Sequence, residues 1–179
     1  MNRPLQYFWS LKLRTIRLYE FLICSGLIIF ALYLQHSEGL APCPMCILQR
    51  YAFILVGSLA LVSAALNING IINKLLSITL VAVSGAGTGV AIRHVWLEHN
   101  PPQIFDCGAD LGFMMENFPL ADALPMIFKG TGDCSIVLWT FMNFSIAEWS
   151  LVFLTAILFL EVSLLYRAFG EGKQTINAP

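Results

Sequence analysis

Four stretches of the chain run almost without polar interruption: residues 18–34, 47–66, 75–92 and 150–166. Each is close to the roughly 20 residues that a helix needs to cross about 30 Å of hydrocarbon. Inside a bilayer every backbone N–H and C=O must be satisfied within its own segment, which selects helices. The pattern predicts an all-α membrane protein, a four-helix transmembrane bundle forming a single integral membrane domain over residues 1–179. The polar connections are short at 35–42 and long at 94–149. Pro101, Pro102, Pro119, Pro125 and the run "KGTGDC" predict that the long one is only partly ordered.

The first apolar run also invites comparison with a cleaved signal peptide, because Arg14 and Arg17 precede it and "GLAPC" follows. Pro42 stands where a small residue should precede the cysteine, and the run is long for a signal core. A retained first helix is therefore expected.

Composition agrees with the pattern. Of 179 residues, 58% are hydrophobic and 12% charged, where a soluble domain carries about a quarter charged residues. The net charge of −1, with no basic stripe interleaved with aromatics, speaks against nucleic-acid binding.

Charge placement orients the bundle. Arg3, Lys12, Arg14 and Arg17 precede the first span, Lys74 follows the second, and Arg167 and Lys173 follow the fourth. The interior of the long connection holds Lys129 beside Asp106, Asp110, Glu116, Asp122 and Asp133. The positive-inside rule then predicts cytoplasmic termini and two outward loops, 35–42 and 94–149. Cys43, Cys46, Cys107 and Cys134 fall on the outward side, where disulfides persist. Cys24 lies inside the first span and reads as a small packed hydrophobe.

Cys43 and Cys46, in "CPMC", have the spacing of a redox pair at a helix start, where the helix dipole favours a thiolate. Zinc would want four ligands with a second close pair, and Cys107 and Cys134 stand 27 positions apart. No metal site is expected, and redox use is favoured. Cys107 and Cys134 read equally as a structural disulfide bracing the loop or as an exposed, exchangeable one. Arg50, one turn beyond Cys46, reads as a snorkelling interfacial cation or as a donor to the carbonyl of a lipid-soluble acceptor such as a quinone. Arg93, His94, Glu98 and His99 add polar groups at the end of the third span. No His pair lies deep in two facing spans, as a haem would want. Glu161, in the fourth span, reads as packing or snorkelling at the cytoplasmic side.

"PCPMCILQRYAF", "RHVWLEHNPP", "FKGTGDCSIVLWTF" and "EWSLVFL", in this order around four spans, resemble the disulfide bond formation protein B (DsbB) family over about residues 15–167. That family comprises quinone-linked thiol oxidases of the bacterial inner membrane. The resemblance implies that Cys43 and Cys46 are the redox pair, with Cys46 meeting the quinone. It implies that Cys107 forms the mixed disulfide with a periplasmic DsbA-like thiol oxidase, and that Cys134 communicates with Cys43. Arg50 matches the quinone-site arginine. His99 matches a quinone-proximal histidine, with His94 and Arg93 as the other candidates. The acceptor would be ubiquinone or menaquinone. The competing readings are a non-enzymatic membrane protein braced by two structural disulfides, and a paralogue serving one specialised partner. Vitamin K reductases also have four spans, but their C-x-x-C falls late in the chain, whereas this one opens the second span.

Overall fold

A computed structural model describes residues 3–39, 42–66, 71–101, 132–135, 137 and 139–176. Four long helices dominate it: α1 (Arg3–Ser37), α2 (Pro44–Leu66), α3 (Ile71–His99) and α4 (Ile146–Ile176). A 3₁₀ turn, Gly132–Ser135, and a two-stranded hairpin precede α4. All four helices contain a segment long and apolar enough to span a membrane. Leu22, Ile29, Ile72, Phe159 and other large apolar side chains are exposed around the bundle, an arrangement that suits contact with lipid tails.

The helices outrun the apolar stretches because polar groups, not hydropathy, end them. At the end of α3, both the backbone and side-chain nitrogens of Asn100 donate to the Trp96 carbonyl, and Pro101 follows. Pro cannot continue a helix, so the stop is sharp. The α3 helix thus carries Arg93 and, beyond it, His94, Glu98 and His99, which fall within the 94–149 connection expected from hydropathy. At the start of α4, the Ser145 hydroxyl accepts from Glu148 N–H at 3.1 Å and the Glu148 carboxylate accepts from Ser145 N–H at 2.8 Å. This reciprocal pair is a capping box. Just before it, strands β1 (Thr140–Phe141) and β2 (Phe144–Ser145) pair antiparallel around Met142 and Asn143, both at positive φ. A two-residue hairpin turn of that kind matches the strand twist.

Packing runs in series, α1 on α2, α2 on α3 and α3 on α4. Small residues set the approach. A Cβ on Gly87 would lie 2.7 Å from the Ala52 Cβ and 3.2 Å from Leu154 Cδ2, so α2, α3 and α4 converge there. A Cβ on Gly57 would meet the Cys24 Cβ at 3.0 Å. Cys24 is buried in the main apolar cluster with Phe53, Val56, Leu80 and Leu154, as a packed hydrophobe.

One departure from expectation concerns charge. Arg17 is not a tail cation: it is 1% exposed inside the first spanning segment and donates to Glu20 at 2.9 Å and to Glu161. Glu161 is fully buried and joins α4 to α1 through this ion cluster rather than snorkelling. The cluster sits at the end of the bundle opposite Cys43.

Candidate functional site

The α2 helix begins at Pro44, whose fixed φ and missing N–H suit a first helical position. Cys43 therefore takes the N-cap place. Its carbonyl accepts from Ile47 N–H at 3.1 Å, and its Sγ accepts from Cys46 N–H at 3.3 Å. A serine or threonine hydroxyl makes that second bond at an ordinary N-cap. The same turn brings the two sulfurs to 3.2 Å, with the Cys43 thiol donating to Cys46. Two local rules, proline at the first position and a capping side chain before it, thus assemble the dithiol.

Cys134, on the 3₁₀ turn, is buried in one small cluster with Cys43, Met45 and Leu97, against which Cys46 packs. Its side chain lies within hydrogen-bonding reach of Cys43. Cys43 thus contacts both Cys46 and Cys134. The Cys134 contact, then the Cys46 contact, then burial push the Cys43 thiol well above the ordinary cysteine range. These contacts favour the protonated form of Cys43. Cys107 lies outside the described residues.

The end of α3 supplies the third wall. His94 is 3% exposed, with Nε2 3.6 Å from Cys43 Sγ and Nδ1 3.2 Å from Gln49 Nε2. The His99 side chain is 62% exposed; its Nδ1–H donates to the Val95 carbonyl, and its Nε2 is 3.7 Å from Glu148. The Arg93 guanidinium lies over the Trp96 ring, 4.5 Å from its centroid. Of the three candidates at this helix end, His94 is the one brought against the dithiol.

Beside the sulfurs is a cavity of about 560 Å³ between α1 and the start of α4. Leu27, Phe30, Leu34, Phe53, Trp139, Phe141, Trp149 and Phe153 make it largely apolar. Cys43, Cys46, Gln49, Arg50, His94 and Glu98 supply its polar lining. Arg50 donates to Gln35 Oε1 at 2.5 Å and to the Ala31 carbonyl at 3.4 Å, both on α1. A guanidinium has five N–H donors, so these contacts aim the group and leave donors for another acceptor. Trp139 stacks on Phe141 and meets Phe30 edge-on, while the Trp149 indole donates to the Phe141 carbonyl. Ser145 also donates to Glu98 at 2.7 Å, tying the α4 cap to α3. Residue-type reasoning passed over Gln49, Ser145 and the aromatic wall. Only Ser145 carried a local signal, the S-x-x-E spacing with Glu148.

A family model described as "Disulfide bond formation protein DsbB" matches residues 13–164. Curated relatives named "Disulfide bond formation protein B" align over nearly the whole chain. The protein of Aromatoleum aromaticum is 45% identical over 162 residues, covering 90% of this chain and 98% of the relative. That of Azoarcus sp. strain BH72 is 46% identical over 153 residues, covering 86% and 92%. That of Polaromonas sp. strain JS666 is 44% identical over 163 residues, covering 91% and 96%.

Proposed function

Because this chain belongs to the disulfide bond formation protein B family, we propose that it reoxidises a DsbA-like thioredoxin-fold thiol oxidase and passes the electrons to quinone. It is a multi-pass membrane protein with a thiol oxidoreductase role in disulfide formation. The finer reading places the protein in a bacterial inner membrane, with the Cys43 end of the bundle facing the periplasm.

The observation that carries this reading is the sulfur cluster, in which Cys43 contacts both Cys46 and Cys134, with Cys43 and Cys46 lining an apolar cavity that also holds Arg50. The cavity's chemistry fits a quinone: aromatic and aliphatic walls for a flat apolar ring, and a cation for its carbonyl oxygen. Arg50 would hold that oxygen, with Cys46 alongside and His94 nearby. A bound quinone supplies a two-electron, two-proton acceptor.

The residues then divide the work. A partner thiolate attacks Cys107 of a Cys107–Cys134 disulfide, and the Cys134 thiolate leaves. The partner's second thiol attacks its own mixed-disulfide sulfur, so the partner departs oxidised and the loop pair is left as a dithiol. Cys134 attacks Cys43, breaking Cys43–Cys46 and forming Cys43–Cys134, with the electron pair leaving on Cys46. Cys107 closes on Cys134 and releases Cys43 as a thiol. Cys46 leaves well because it sits in the first turn of α2, near the helix dipole and one turn from Arg50. Cys43 holds its proton until Cys46 gives up its electrons and the pair recloses. Arg50 faces the acceptor where negative charge develops.

The test mixes purified protein anaerobically with a reduced thioredoxin-fold partner and a soluble quinone analogue, and follows quinone absorbance. Cys46→Ser is expected to abolish quinone loss. Arg50→Ala should slow it by about 10²–10³-fold, the usual cost of losing one donor to developing charge. Full-rate quinone reduction by Cys46→Ser would refute the scheme.

A further inference from the structure

We propose that the reduced dithiol, together with His94, is a binding site for a thiophilic divalent cation, zinc(II), which arrests the relay in its reduced state. Sequence spacing argued against zinc because the other cysteines lie far along the chain. Folding changes the donor set. Cys43 Sγ, Cys46 Sγ and a His94 ring nitrogen all lie within 4.8 Å of one another. The sulfurs are 3.2 Å apart, and His94 Nε2 is 3.6 Å from Cys43 Sγ.

Tetrahedral zinc with Zn–S near 2.3 Å and Zn–N near 2.0–2.1 Å sets ligand separations of about 3.8 Å for S···S and about 3.6 Å for S···N. The Cys43–His94 spacing of 3.6 Å already matches, and the sulfurs, 3.2 Å apart, need to open by about 0.6 Å. Two thiolates and an imidazole are three of the four donors that structural zinc takes. Cys134, in contact with Cys43, is at hand for the fourth position whenever it is a free thiol.

The surroundings complete a metal site. A ligating histidine donates its other N–H to a fixed acceptor, which sets the tautomer and ring direction. Gln49, 2% exposed and 3.2 Å from His94 Nδ1, provides that partner once its amide is turned to present oxygen. The cavity beside the sulfurs gives a route in. Binding converts two thiols to thiolates and releases two protons, three with Cys134, and no electron moves. With both sulfur lone pairs tied to a d¹⁰ ion, Cys46 has nothing to pass on. The Cys43–Cys46 disulfide offers no thiolate, so the oxidised protein is insensitive. This makes the site selective for one redox state of one chain.

The test uses full-length protein in detergent, reduced with a phosphine and freed of metal, with cobalt(II) as the spectroscopic probe and no quinone or partner present. It therefore reads metal binding separately from electron transfer. One equivalent of cobalt per chain is expected, with thiolate-to-cobalt charge transfer and tetrahedral ligand-field bands that zinc(II) abolishes. The disulfide form should show neither band. His94→Ala should change the ligand-field spectrum, while Gln49→Leu should weaken zinc about 10- to 100-fold. Cys24→Ala should bind as the parent does. Absence of cobalt–thiolate bands in reduced protein of native helix content would overturn the proposal. So would zinc affinity in a folded His94→Ala variant equal to that of the parent.

Discussion

At the scale of single residues, the chemistry turns on the inequality of two cysteines three positions apart. Cys43 caps α2, donates to Cys46 and touches Cys134, and these contacts raise its pKa. A raised thiol pKa means less thiolate than an ordinary cysteine has at neutral pH, with the deficit disappearing only as the pH rises through the higher value. Brief alkylation of the reduced protein at pH 7 should therefore label Cys46 ahead of Cys43, and Cys43 labelling should climb with pH. Peptide mass spectrometry of the quenched protein checks this, and equal labelling at pH 7 would contradict it. Residue types and spacing alone marked Cys43 and Cys46 as a pair with Arg50 one turn beyond, and the structure keeps the three at one cavity. They did not show which histidine meets the dithiol. His94 and His99 are five residues apart, about 140° around a helix at 3.6 residues per turn, so one α3 face cannot present both. Which of them meets the dithiol depends on the rotation of α3 against α2, and close packing through Gly87 and Ala52 fixes that rotation.

At the scale of elements, hydropathy located the helices and the Leu66 end of α2 but placed the other ends several residues inside the true ones. It misses ends because they are set by hydrogen bonds: a cysteine cap at α2, a Ser145–Glu148 box at α4, an asparagine stop at α3. Those extra turns carry His94 and Glu98, so this wall of the site is built on helix and not on loop. Helix contacts are just as local. Gly87→Ala would place a methyl 2.7 Å from the Ala52 Cβ, a backbone-held atom that cannot swing aside. Overpacking of this kind costs about 1–3 kcal/mol. Gly89→Ala meets nothing within 4 Å and should be neutral or slightly stabilising through helix propensity. Thermal unfolding of the two variants in the same detergent separates them, and equal melting temperatures would contradict the close approach.

At the scale of the whole molecule, the two ends of the α1/α4 side differ in kind. Near Cys43 the gap between α1 and α4 is the apolar cavity, while at the far end Arg17, Glu20 and Glu161 close it with charge. A one-dimensional charge pattern reads Arg17 as a tail residue, because nothing in it shows a carboxylate 144 positions away neutralising the guanidinium. Arg17→Leu would leave two buried carboxyl groups without their cation. It should cost about 3–5 kcal/mol, as removing one member of a buried pair does. Glu161→Leu should cost less, since Arg17 keeps Glu20. Unfolding by a denaturing detergent in mixed micelles measures both, and the reverse order would contradict this arrangement. The central claim for the molecule is that electrons travel along the row Cys134, Cys43, Cys46. The most direct test is the disulfide map of Cys46→Ser after exposure to oxidised partner, obtained by proteolysis under acid quench and mass spectrometry. The account predicts a trapped Cys43–Cys134 disulfide, formed by the last exchange run in reverse: Cys43 attacks Cys134 of the Cys107–Cys134 disulfide, and Cys107 leaves, free or joined to the partner. A map in which Cys134 pairs only with Cys107 and Cys43 stays a thiol would contradict it.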